Sequence, residues 1–334
     1  MQTSLLPFSK DVLRLDAGRE VERISLSIRE SVFGQLRRRG TVICLSGGVD
    51  SSVVAALCVR ALGKDRVFGL LMPESESSPE SLSLGRLLAE GLGIATSVED
   101  ITPILTAAGC YRRRDEAIQT VIPEYAPGYR SKIVVSNILD RDGFKTCSVV
   151  VESPQGAQRK ARLSADAFHA LLAATSFKQR ARKMLEYYYA DRLQYAVAGT
   201  PNRLEYDQGF FVKHGDGAAD LKPIAHLYKT QVYQLAEFLD ISGEIRHRPP
   251  TTDTYSLPQS QEEFYFSVPY DVLDLCLYAL DHGVSPLDAA AATNLTLEQV
   301  RRVYRDIQSK RHAGRYLNLA PLLVGDTPPN STGA

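Results

Sequence analysis

Ser46-Gly47-Gly48-Val49-Asp50-Ser51-Ser52 joins two apolar runs, Thr41 to Leu45 before it and Val53 to Val59 after it. Two adjacent glycines let a backbone turn sharply and approach a ligand closely. A helix that starts there presents N–H groups without internal partners, and its dipole favours an anion. Ser46, Ser51 and Ser52 add hydroxyl donors around Gly47 and Gly48, and Asp50 adds a carboxylate able to hold Mg²⁺. These residue types suit the binding of a pyrophosphate together with a metal ion. A glycine turn that simply punctuates a strand and a helix is the plainer alternative. The run lacks the Gly-Lys-Ser/Thr ending of a Walker A loop and the G-x-G-x-x-G spacing of a dinucleotide site.

A second concentration of chemistry runs from Phe177 to Asp253. Lys178, Arg180, Arg182 and Lys183 follow Ser176 on one helical stretch. Gly199-Thr200-Pro201-Asn202-Arg203-Leu204-Glu205 follows an apolar run. The segment from Gly209 to Asp220 carries Phe211, Lys213, Asp216 and Asp220. Leu227-Tyr228-Lys229-Thr230 and Pro249-Pro250-Thr251-Thr252-Asp253 complete the series. Each has a bland reading too: Glu205 as a surface carboxylate, Lys229 at a helix end, Thr251 as turn chemistry, and Lys310-Arg311 as a basic pair on a helix. Tyr187, Tyr188 and Tyr189 lie on a helix and read as packing.

The elements that must position these residues follow from periodicity. Val21, Ile24, Ile28, Val32 and Leu36 recur at helical spacing, predicting a helix over about 11–39 that Gly40 stops. Strand 41–45, helix 51–62, strand 67–72, helix 79–92 and strand 94–98 come next. Alternation of this kind predicts an α/β fold, a doubly wound and mostly parallel sheet with helices on both faces. Ligands of such sheets bind beyond the carboxyl ends of the strands, where the glycine loop lies. Residues 128–163 break the pattern with β-branched runs and Asn/Asp/Gly turns, including Asp140-Arg141-Asp142-Gly143, and predict an inserted antiparallel hairpin or three-strand meander. A helix over 165–194 leads into a buried strand over 195–199. The expected organisation is an α/β body over 1–270, a helical C-terminal extension over 271–325, with Pro286 and Thr296 opening helices, and a disordered tail over 326–334.

The bulk numbers exclude several classes. The 334 residues carry 39 Lys and Arg against 39 Asp and Glu, leaving no electrostatic footprint for nucleic acid or an anionic membrane. The basic runs at Arg37–Arg39, Arg112–Arg114, Arg301–Arg302 and Lys310–Arg311 read mostly as solvated helix faces. No apolar run approaches the ~20 residues of a membrane helix. Cys44, Cys58, Cys110, Cys147 and Cys276 are scattered without a C-x-x-C, and Met1-Gln2-Thr3-Ser4 lacks a signal-peptide pattern. Reduced thiols and a cytoplasmic location are expected.

The SGGVDSS run resembles the SGGxDS loop of the N-type ATP pyrophosphatases, which split ATP between the α and β phosphates. Followed by the Gly-Thr-x-Asn-x-x-Glu and Phe-x-Lys-x-Gly-Asp-Gly-x-x-Asp blocks in this order, it resembles the synthetase domain of the NAD synthetases over roughly 20–120 and 170–312. The resemblance implies an adenine nucleotide alpha hydrolase-like fold. It also implies an ATP- and Mg²⁺-dependent ligase that adenylates the carboxylate of deamido-NAD and then amidates it with ammonia, working as a homodimer. By the same resemblance Asp50 and Glu205 share the metal. Ser46, Gly47, Gly48, Asp50, Ser51, Ser52, Thr200, Lys229 and Thr251 bind ATP, with Asp50, Lys229 and Thr251 catalytic. Ser176, Arg180, Phe211, Lys213, Asp216, Asp220, Lys310 and Arg311 meet the acceptor. Ser176 stands where the family has Asn, and the 128–163 insertion lies beside it. These departures leave open a related ligase acting on a different carboxylic acid, and a non-catalytic nucleotide-binding homologue. No glutaminase segment is recognisable, so free ammonia or a separate glutaminase subunit is the expected nitrogen source.

Overall fold

The computed structural model describes residues 7–139, 146–251 and 254–325. A first helix, α1 (Ala17–Arg29), leads to β1 (Thr41–Cys44), α2 (Val49–Leu62), β2 (Val67–Leu71), α3 (Pro79–Leu92) and β3 (Ala95–Val98). Two helices, α4 (Thr102–Ala107) and α5 (Cys110–Gln119), precede β4 (Arg130–Val135), β5 (Cys147–Glu152) and β6 (Gln158–Arg162). The long α6 (Ala165–Leu193) then enters β7 (Ala196–Val197). Beyond it lie α7 (Arg203–Gln208), α8 (Lys229–Phe238), α9 (Gly243–Arg246), α10 (Tyr270–Asp281), α11 (Pro286–Thr293) and α12 (Leu297–Gly314).

The main sheet runs β3-β2-β1-β7 and all its pairs are parallel, with Thr41 opposite Val67 on one side and Ala196 on the other. Successive residues of a strand point to opposite faces. Ile43 and Leu71 accordingly meet Val53 and Leu57 of α2, Ile24 of α1 and Val232 of α8. Val42 and Leu70 meet Leu105 of α4 and Ala181 and Tyr189 of α6 on the other face. Burial on both faces explains why β1 and β2 read as continuous apolar runs, whereas the edge strand β3 is largely exposed. Leu57 is fully buried at the centre of this packing. Leu57→Ala is expected to cost about 3 kcal/mol of stability, read from urea unfolding followed by circular dichroism.

Two local expectations need correction. The N-terminal helix does not start at 11: Lys10–Leu13 form a single 3₁₀ turn, and Asp16 restarts the chain by accepting from the Arg19 N–H at 3.1 Å. A short acidic side chain in that place caps a new helix better than it continues an old one. The following Glu30–Gln35 turn is π-type, yet Val21, Ile24, Ile28 and Val32 are all buried as the period requires. The basic runs are mostly solvated as expected, with Arg114 and Lys310, buried in ion pairs, as the exceptions. Finally, α4 and α5 occupy a stretch for which the alternating pattern gave no element.

The inserted segment is a three-strand antiparallel meander, β4-β5-β6, with Val135 opposite Cys147 and Val149 opposite Ala161. Ile133, Val149 and Val151 pack on Ile118 of α5 and Leu171 of α6. The expected turn at Asp140–Gly143 and the tail at 326–334 lie outside the described residues. The C-terminal helices share a core with the body: Leu273, Leu277, Val303 and Ile307 pack with Leu13, Leu204 and Tyr228. All five cysteines are free thiols. Among the described residues no helix is long and apolar enough to cross a membrane.

Candidate active site

The chain builds β1, β2 and β3 outward in one direction and then returns to place β7 on the far side of β1. The loops after β1 and β7 therefore diverge, which opens a crevice at the carboxyl ends of the strands. A cavity of about 810 Å³ occupies that position, within the range of small-molecule sites. Ser46 and Gly48 to Ser51 line it from the β1 side, and Ala198 to Pro201 from the β7 side.

Gly47 makes the β1 turn with φ +74°, and a Cβ there would sit 2.6 Å from the Ser81 carbonyl oxygen. Gly47→Ala is therefore expected to lower stability by about 2 kcal/mol, measured by thermal melting, and to weaken ATP binding in calorimetry. Gly48 is the N-cap of α2 and brings no capping side chain, so the first turn of the helix presents its N–H groups at the cavity edge. Ser46 Oγ lies 3.1 Å from Ser51 Oγ, and Ser51 donates to the Gly48 carbonyl at 3.0 Å.

Opposite this turn, one asparagine joins two carboxylates. Asn202 caps α7 by accepting from the Glu205 N–H at 3.2 Å, and Glu205 returns the bond by accepting from the Asn202 N–H at 3.1 Å. The Asn202 amide also donates to Asp50 Oδ1 at 3.1 Å. Lys229, the first residue of α8 and 1% exposed, donates its ammonium to Asp50 Oδ2. Burial and the facing Asp50 charge push the Glu205 carboxyl up to about 8, with Lys229 opposing the shift. Burial pulls Lys229 down, but the charges of Asp50 and Glu205 prevail and hold it above the usual lysine value. One lysine thus leaves the pair short of positive charge. A hard divalent cation would fit this shortfall, since two carboxylates plus substrate phosphates are a usual Mg²⁺ donor set. Among the described residues no cluster of three or more His, Cys, Asp or Glu offers a metal a site built from protein alone.

The other wall carries the residues expected at the acceptor. Ser176, Arg180, Phe211, Lys213, Asp216 and Lys310 all line the cavity, as do Thr200 and Thr251. Ser176 Oγ is back-bonded to the Leu172 carbonyl at 2.7 Å. Arg180 reaches the Lys213 carbonyl at 3.3 Å, and Lys213 donates to the Tyr316 carbonyl at 3.0 Å. Phe211 stacks on Tyr206 with centroids 6.2 Å apart. Asp216 accepts from the Val212 N–H at 2.8 Å, and burial raises its carboxyl above the usual range. Lys310 pairs with Asp306 at 2.9 Å. Val135 and Cys147 bring the inserted sheet into the same wall.

Gly47 makes the turn without lining the cavity, and three expected side chains stand elsewhere. Ser52 is fully buried and donates to the Gly48 carbonyl at 2.8 Å, because its place one turn into α2 aims it back along the helix. Asp220 accepts from the Val197 N–H at 2.7 Å and so secures the end of β7. Arg311 is held by Asp207 at 2.8 Å and Asp281 at 2.7 Å. None of the three lines the cavity.

Other members escaped the sequence reading. Asn202 was legible, since Asn three residues before Glu is a capping signature. Lys178 was not: it is 1% exposed and donates to Glu74 at 2.8 Å, Glu76 at 2.7 Å and the Thr254 carbonyl at 2.7 Å. Arg114 and Tyr111 complete that buried network on Glu76 and Glu74. It ties the segment after β2, which forms part of the cavity wall, to α5, α6 and the stretch that bears Thr251.

The NAD synthase family model matches residues 20–122 and 136–316, leaving out between them a stretch that contains β4. An NH₃-dependent NAD⁺ synthetase of Mesorhizobium japonicum is 58% identical over 93% of this chain and 98% of its own length. One from Methanocaldococcus jannaschii is 33% identical over 87% of this chain and 92% of its own. Among solved structures, the NH₃-dependent NAD synthetase of Campylobacter jejuni superposes with a TM-score of 0.60 at 22% identity. It covers 93% of this chain and all of that one. An NMN synthetase from Francisella tularensis gives 0.65 at 20% identity, over 94% of this chain and all of its own, and shares the fold. With both halves of its length matched around the switch-point cavity, the chain belongs to the NAD synthase family.

Proposed function

We propose that this chain is an ammonia-dependent ligase that makes NAD from deamido-NAD. The nicotinate carboxylate attacks the α-phosphorus of ATP, forming an acyl adenylate and releasing pyrophosphate. Ammonia then attacks the acyl carbon, AMP leaves, and a proton is lost to give the amide. The observation that carries the reading is the Lys229–Asp50–Asn202–Glu205 chain beside an anion-binding helix start. Family membership carries the substrate.

The roles follow from charge. Ser46, Gly48, Ser51 and the first turn of α2 receive the ATP phosphates, backed by Gly47, with Thr200 and Thr251 on the facing walls. Asp50 and Glu205 would hold Mg²⁺, which when bound neutralises charge building on the departing pyrophosphate. Lys229 adds a fixed positive charge in a buried place, where it acts more strongly than in water. Arg180, Phe211, Lys213, Asp216 and Lys310 receive the dinucleotide, with Ser176 beside them. A homodimer working in the reducing cell interior completes the proposal, in keeping with five free thiols.

The test is pyrophosphate release with ATP, Mg²⁺ and ammonium, with and without deamido-NAD. Strong stimulation with NAD formed is the expected result. ATP binding without stimulation would overturn the reading in favour of a different carboxylic acid.

A further inference from the structure

The buried carboxylate of Asp274 lies outside the cavity and has no part in the chemistry above. It sits on α10 with no exposed surface, between Leu273 and Leu275, which are themselves 1% exposed. Both of its oxygens are used on α8. Oδ2 accepts from the Thr230 N–H at 2.7 Å, and Oδ1 accepts from the Lys229 N–H at 3.3 Å. These are the first two N–H groups of α8, the groups that a helix cannot satisfy internally. The residue just before them, Tyr228, brings a phenol that lies under the Arg203 guanidinium, 4.9 Å from it, where a helix start usually has a short acceptor. The cap therefore comes from another helix, more than forty residues along the chain.

We propose that Asp274 is a positioning residue that sets Lys229 against Asp50. The argument rests on the proposed role of Lys229 at the ATP phosphates. Lys229 is both the first residue of α8 and the residue whose ammonium meets Asp50. Its main-chain nitrogen is one of the two that Asp274 holds, so the base of the side chain is fixed from α10. Packing around Leu273, Leu275, Cys276 and Leu277 in turn fixes the rotation of α10. A carboxylate on so rigid a support places the start of α8 more narrowly than a flexible loop could, and misplacement of a catalytic group by about 1 Å can cost a hundredfold in rate.

The experiment compares four full-length proteins: wild type, Asp274→Asn, Lys229→Met and the double variant. The readouts are kcat for pyrophosphate release well below the melting temperature, KM for deamido-NAD, and the MgATP dissociation constant by calorimetry. Asp274→Asn should lower kcat about ten- to a hundredfold and weaken MgATP, with KM for deamido-NAD unchanged. In the Lys229→Met background it should weaken MgATP no further, since the two residues act as one unit. If Asp274→Asn does not fold, Asp274→Ser, which keeps an oxygen acceptor, takes its place in the same comparison. A lower melting temperature with kcat and MgATP affinity intact would overturn the proposal, as would an undiminished effect in the Lys229→Met background. Wild-type turnover by Lys229→Met itself would instead overturn the role given to Lys229.

Discussion

Replacing Asp50 with Asn is expected to lower pyrophosphate release about a thousandfold while the protein still folds, with a lowered melting temperature. The two halves of the result have one cause. Asn keeps the shape of Asp, but it removes one of the two carboxylates proposed to hold Mg²⁺ and leaves a single oxygen where two accept separately from Lys229 and the Asn202 amide. In the free protein the Asp50 charge is part of what pushes Glu205 up to about 8. Its removal lets Glu205 ionise more easily, which offsets part of the stability lost with the Lys229–Asp50 pair. Stopped-time pyrophosphate assays at saturating ATP, paired with melting curves, check both halves. Normal turnover in this variant would remove the metal role given to Asp50.

Lys229→Met should act on both quantities in the same direction. The side chain is 1% exposed and its ammonium lies against Asp50, so its loss leaves two neighbouring carboxylates without their nearest cation. Breaking a buried pair by removing one partner costs about 3 kcal/mol of stability. Loss of a fixed charge at the developing pyrophosphate should take another hundredfold to thousandfold from kcat. Adding Asp50→Asn to Lys229→Met should then restore part of the stability and none of the turnover. Urea unfolding of the three variants gives the first comparison, and product formation gives the second. Equal stability of the single and double variants would show that the Lys229–Asp50 contact does not matter to the fold.

What was legible in the sequence was local. The glycine loop stood out because two apolar runs flank it, and those runs became β1 and α2 with a shift of two residues at the helix start. The Gly-Thr-x-Asn-x-x-Glu block pointed to Glu205, while the Asn202 cap that holds its carboxylate went unread. The meander at 130–162 was visible in β-branched runs and turn residues. Long-range pairing was not legible. Lys178 looked like one of four cations on a helix face, yet its partners Glu74 and Glu76 lie about a hundred residues earlier. Arg311 looked like a ligand contact until Asp207 and Asp281 were brought beside it. Ser52 had the right chemistry at the wrong helical phase. The cap on Lys229 escaped for the same reason as Lys178: an Asp inside an apolar helical stretch does not reveal which distant backbone it serves.

The cavity is walled by residues from Cys44 to Leu317, nearly the whole of the described chain. That distribution has a consequence during synthesis. A ribosome that has released β1, α2 and even α8 still carries a protein without the Lys310, Tyr316 and Leu317 wall and without the α10 carboxylate that starts α8. Nascent chains should gain tight ATP binding late and abruptly, after residue 317 clears the exit tunnel. Protection of ribosome-bound chains by nucleotide would therefore mark those in which residue 317 has emerged and pass over shorter ones.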